Sequence, residues 1–110
     1  MQKTSLDALV REHLKRASAA STGRSATTLY GGHEHVLRQT LIALTAGTSL
    51  TEHENPGEAT LTVLHGRVRL VSGDDSWDGM AGDYLVIPRA RHSLEAVEDA
   101  AALLTVAKLP

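Results

Sequence analysis

From Thr27 onward, turn-forming clusters interrupt the chain about every 8–12 residues. They are Ala46-Gly47-Thr48, Pro56-Gly57, His65-Gly66, Ser72-Gly73-Asp74-Asp75 and Gly79-Met80-Ala81-Gly82-Asp83. The runs between them are too short for packed helices but suit strands. These runs are 36–44, 49–55, 59–64, 67–71, a short piece about Trp77, 84–87, 93–96 and 101–107. A chain divided in this way folds as an all-β sandwich or barrel. Run 36–44 sets Val36, Thr40, Ile42 and Leu44 on one face and Leu37, Gln39, Leu41 and Ala43 on the other. Apolar residues on both faces predict a strand covered on both sides.

The first twenty residues follow a different period. Leu6, Leu9, Val10, Leu14 and Ala17 fall at helical spacing and predict an amphipathic helix over 4–20. Thr4 with Asp7 imitates a capping box. Arg11, Lys15 and Arg16 lie toward the C-terminal half, where they complement the helix dipole, and Gly23 ends the segment. A single helix cannot bury its own stripe, so it must pack on the remaining fold or on another chain. The expected organisation is a helix and linker over 1–24 and a barrel over 25–110.

Composition narrows the function. The chain has 110 residues, a net charge of −2, no cysteine and 3% aromatic residues. Its length corresponds to one domain with one core. Without cysteine there is no disulfide scaffold, no thiolate metal site and no thiol nucleophile. Near-neutral charge and few aromatics argue against nucleic acid. No apolar run approaches the ~18 residues of a membrane span, and charged residues break up the start of the chain, so no membrane association and a cytoplasmic location are expected. Six histidines are the one compositional hint of chemistry.

The spacing of glycine, histidine and proline resembles that of the cupin superfamily. Five residues follow Gly47 before His53, Asn55 stands where a second histidine falls in the first cupin motif, and Ala59 stands where its glutamate falls, six residues before Gly66. The second motif resembles 82–92: five residues separate Gly82 from Pro88, Ala90 replaces a glycine, and His92 arrives one residue early. Fifteen residues lie between Gly66 and Gly82. The resemblance covers 36–107. It implies a double-sheet jelly-roll β-barrel with an N-terminal α-helix, and a homodimer. Gly47, Gly66 and Gly82 are then corners that require positive φ or close backbone approach.

Cupins that bind a metal use two histidines and a glutamate from the first motif and a histidine from the second. By position this chain keeps His53 and His92, the candidate ligands for iron, manganese, nickel or zinc. Asn55 is a weak donor and Ala59 is none. A β-bulge would be needed to turn Glu58 inward, and Glu52 and Glu54 should face away from His53. His53, Asn55 and His92 are therefore the candidate ligand-binding residues. His33 and His35 read as a surface strand pair, His65 as an exposed turn residue and His13 as a packing or surface residue on the helix. Arg38, Gln39, Arg67 and Arg69 read as solvated strand faces, and Arg89 and Arg91 as loop arginines beside the barrel mouth. Tyr30, Trp77 and Tyr84 read as core or rim aromatics.

Three functions compete. The first is a cupin that binds a small molecule in the barrel, with a degenerate or absent metal site. The second is a divalent-metal-dependent cupin enzyme of oxygenase or isomerase type. The third is an interaction module docking through its helix. The first is preferred, because two of the four motif ligand positions carry Asn55 and Ala59.

Overall fold

The computed structural model describes residues 2–53 and 57–108, with the side chains of 52 and 53 outside the description. One helix, α1 (Leu6–Ala19), precedes nine strands: β1 (Arg24–Tyr30), β2 (Leu37–Leu44), β3 (Ser49–His53), β4 (Gly57–His65), β5 (Arg67–Ser72), β6 (Asp75–Met80), β7 (Tyr84–Ile87), β8 (His92–Ala96) and β9 (Ala100–Lys108). The helix cap differs from the expected one. Ser5, not Thr4, is the N-cap, and its hydroxyl accepts from the Ala8 amide at 3.2 Å. β1 is a full strand that hydrophobic patterning did not delimit, because its sequence RSATTLY carries few apolar residues.

The strands form two antiparallel sheets. The five-stranded sheet runs β1-β2-β9-β4-β7 and the four-stranded sheet β3-β8-β5-β6. Their inner faces enclose the larger core, which includes Leu44, Leu61, Val63, Val68, Leu70, Ile87, Leu94 and Val106. The opposite face of the five-stranded sheet carries a second cluster, in which Val10 and Ala17 of α1 pack on Leu41, Ala43 and Ala101. β2 is therefore covered on both sides along its second half, with Ile42 and Leu44 facing the barrel and Leu41 and Ala43 facing the helix. His13 is buried in the helix-to-sheet contact, and its Nδ1 lies 2.7 Å from the Ser25 hydroxyl of β1.

Two glycines serve this arrangement in different ways. Gly66 turns β4 into β5 with φ +72°, and a Cβ there would collide with the Asp99 carbonyl. Gly79 belongs to β6 and not to the following turn. It is buried, and an added Cβ would meet Leu85 and Val63 at 3.1 Å, so its lack of a side chain is what lets β6 close over the core. Gly47 and Gly82 also have positive φ, +85° and +94°.

Candidate functional site

Cavity residues follow from strand parity. Along β8 the burial alternates, so that His92, Leu94 and Ala96 face inward. His92 arrives one residue early by motif spacing, yet it lies two positions before Leu94 and four before Ala96, on the same face. Its imidazole is consequently only 2% exposed. It lines a small cavity between the sheets. Ile42, Leu61, Ile87 and Leu104 contribute from the five-stranded sheet, and Leu50, Leu70, Leu94 and His92 from the four-stranded one. The cavity is about 20 Å³, close to the room that one water needs. The walls are aliphatic, and His92 is the one polar side chain among the lining residues.

His92 is oriented by the chain just before it. Its Nδ1 lies 3.0 Å from the Ala90 carbonyl. A carbonyl oxygen only accepts, so Nδ1 carries the proton and, in the neutral ring, Nε2 carries the lone pair. Nε2 is then the ring nitrogen of acceptor character, the kind that takes a hydrogen bond or a metal. Motif spacing gives no signal for this Ala90 contact, which depends on the bend 88–91 returning the carbonyl beneath the ring.

β3 pairs with β8 so that His53 stands opposite His92 in register, after an irregularity between Leu50 and His53. The backbone thereby brings together the two positions that motif spacing singled out. The side chain of His53 and all of Asn55 lie outside the described residues.

The position of the motif glutamate is settled. Ala59 is buried in an inward-facing row between Val106 of β9 and Ile87 of β7. Glu58 pairs with Ala107 in unbroken register, so the bulge that would turn it inward is not there. Its carboxylate faces outward, 3.8 Å from the Arg89 guanidinium. Among the described residues no group of three His, Cys, Asp or Glu side chains is placed to hold a metal ion. Among the described residues, one imidazole beside an alanine falls short of the three protein ligands that such a site needs.

The remaining candidates lie outside the cavity. His33 and His35 are exposed in the loop between β1 and β2, not on a strand, because Gly31 and Gly32 break the extended run before them. The His35 ring meets Tyr30 edge-on, with centroids 5.2 Å apart. His65 is exposed at the end of β4, as expected. Tyr30, Trp77 and Tyr84 are all exposed and none is a core residue. Each belongs to β1, β6 or β7, three of the four strands that end a sheet among the described residues. Arg69 reaches across the outer face to Asp78 with a two-pronged contact, at 2.8 and 3.2 Å. The hydrogen bond, reinforced by the ion pairing, holds the Asp78 carboxyl below its usual range and raises Arg69. Gln39 donates to the Thr105 hydroxyl at 3.2 Å.

Comparison with known proteins agrees with this architecture. A family model described as the cupin domain matches residues 40–108. The chain belongs to the cupin superfamily. It is similar to a conserved protein of unknown function from Streptococcus pyogenes, at 27% identity and TM-score 0.74, over 83% of this chain and 79% of that one. It is also similar to an RmlC-like cupin from Desulfovibrio desulfuricans, at 26% identity and TM-score 0.67, over 76% and 81% of the two chains. A cupin superfamily protein from Desulfitobacterium hafniense shares the fold at 18% identity and TM-score 0.72, over 78% of each chain. No curated protein matches.

Proposed function

We propose that this cupin binds a compact, largely apolar small molecule between its sheets, with His92 as the buried polar contact and with His53 and Asn55 as further contacts. The observation that carries the reading is His92, a buried, carbonyl-oriented imidazole set among seven aliphatic side chains. An apolar pocket with few convergent polar groups is the usual form of a small-molecule site. The cavity's size restricts the ligand: either it is only a few heavy atoms, or it enters by displacing side chains. A donor on the ligand would pair with His92 Nε2. A cytoplasmic setting belongs to this reading, since a chain without cysteine gains no disulfide from an oxidising compartment.

The competing reading, a cupin enzyme using iron, manganese, nickel or zinc, would place His53 and His92 on the metal. Ala59 and the outward Glu58 weigh against it. Elemental analysis of tag-free protein separates the two. The expected result is metal well below one equivalent, together with a thermal shift from some member of a library of small neutral compounds. His92→Gln is expected to remove that shift. A full equivalent of metal lost on His92→Gln, or a shift indifferent to that substitution, would overturn the proposal.

A further inference from the structure

Arg67 of β5 stands opposite Met80 of β6, on the same outer face as the next pair, Arg69 and Asp78. The two guanidinium groups find different partners there. Arg69 turns the edge that carries Nε and Nη2 to a carboxylate, which accepts from both nitrogens. Arg67 turns Nη2 of the same edge to a thioether, donating to Met80 Sδ at 3.6 Å. Its Nε is buried and has no hydrogen-bond partner among the described residues. Thioether sulfur is only a weak acceptor, and a buried donor left unsatisfied is destabilising. Asp78, the carboxylate of the adjoining pair, is held by Arg69. Met80 is 51% exposed, so its side chain is open to a dissolved reagent. Met1 is the only other methionine in the chain.

We infer that Met80 is an oxidation site whose sulfoxide is held by Arg67. A hydroperoxide supplies the oxygen. A sulfur lone pair attacks one peroxide oxygen, and the S–O bond forms as the O–O bond breaks. The leaving oxygen takes the proton of the transferred hydroxyl. Sulfur is oxidised by two electrons, and the hydroperoxide is reduced to an alcohol or to water. The new oxygen is a strong acceptor where the sulfur was a weak one, and it supplies what the Nε–Nη2 edge of Arg67 lacks. Hydrogen bonds from a charged donor are stronger than neutral ones. Sulfoxide formation disrupts a protein when the thioether is packed in a core, and at a half-exposed position that penalty falls away. The modification therefore adds a second polar tie between β5 and the edge strand β6, beside the Arg69–Asp78 pair. A sulfoxide reductase reverses it with two thiols, which become a disulfide while the oxygen leaves as water. Met80 is not among the residues that line the barrel cavity, so the site is independent of whatever that cavity binds.

The test treats the full chain with hydrogen peroxide and follows it by peptide mass spectrometry and urea denaturation. Met80 is expected to gain one oxygen under conditions that oxidise N-acetylmethionine amide. Oxidation should leave the parent as stable as before or more so, and should destabilise Arg67→Leu. The oxidised-to-reduced ratio of folding equilibrium constants is expected to be roughly 5-fold higher in the parent than in Arg67→Leu. Met80→Leu controls for Met1, and its stability should not respond to peroxide. Met80→Gln places an amide oxygen near the sulfoxide position and should be more stable than Met80→Leu. An unmodified Met80 would overturn the inference. So would equal shifts in the parent and Arg67→Leu, or a Met80→Leu chain that responds as the parent does. If Arg67→Leu does not fold, the two Met80 variants decide, and Met80→Gln no more stable than Met80→Leu counts against the site.

Discussion

Single positions carry unequal shares of this fold. Gly47 and Gly66 both have positive φ, but their surroundings differ. Nothing lies within 4 Å of a Cβ added at Gly47, whereas one at Gly66 meets the Asp99 backbone. Gly47→Ala should therefore cost about 1 kcal/mol, the conformational penalty alone. Gly66→Ala should cost ~3 kcal/mol or more, because backbone must also move. Urea denaturation of the two variants checks the difference, and equal losses would show that the Asp99 contact relaxes freely. Motif spacing singles out both glycines alike, and only the packing around them separates the two. Ala59 shows the same limit from the other side. The chain itself reveals that the glutamate is missing, while the register of β4 with β7 and β9 reveals that Glu58 cannot take its place.

At the scale of elements, the edges are held by polar contacts on the outer face. β6 ends the four-stranded sheet, and the Arg69–Asp78 pair ties it to β5. The folded state lowers the Asp78 pKa, so its stabilising contribution is full above the ordinary carboxylate range and is lost as pH falls through the folded value. Asp78→Asn should thus be slightly less stable than the parent at neutral pH. The two stability curves should converge in acid, and salt should narrow the gap. Chemical denaturation across pH measures this. A gap that persists below the carboxylate range would mean that the contribution is not ionic. Helix α1 is legible from its apolar stripe, but its cap is not: Thr4 and Ser5 are both competent caps, and in the fold Ser5 takes the role.

The whole molecule is two hydrophobic clusters sharing the strands β2 and β9. The larger lies between the sheets and the smaller beneath α1. Because those strands are common to both, we propose that helix and barrel unfold together although sequence patterning separates 1–24 from 25–110. Ala17 is 1% exposed against the sheet. Ala17→Glu buries an unpaired charge there and should lower the temperature of one common transition, followed by circular dichroism and by Trp77 fluorescence. Two separated transitions would show that the helix is an independent appendage.

Periodicity and turn spacing alone determined the all-β class, the leading helix, most strand positions and the double coverage of β2, and resemblance to the cupin motifs singled out positions 53 and 92. These properties are local, or repeat with period two or 3.6, so they are written in one dimension. The tertiary structure decided what depends on neighbours distant in the chain. It turned His92 inward and aimed its ring through the Ala90 carbonyl. It sent Glu58 outward to Arg89, moved Gly79 from turn to core, and left Tyr84 and Val86 exposed on an edge. Each outcome rests on register between strands far apart in sequence, and a one-residue change in register exchanges inside for outside.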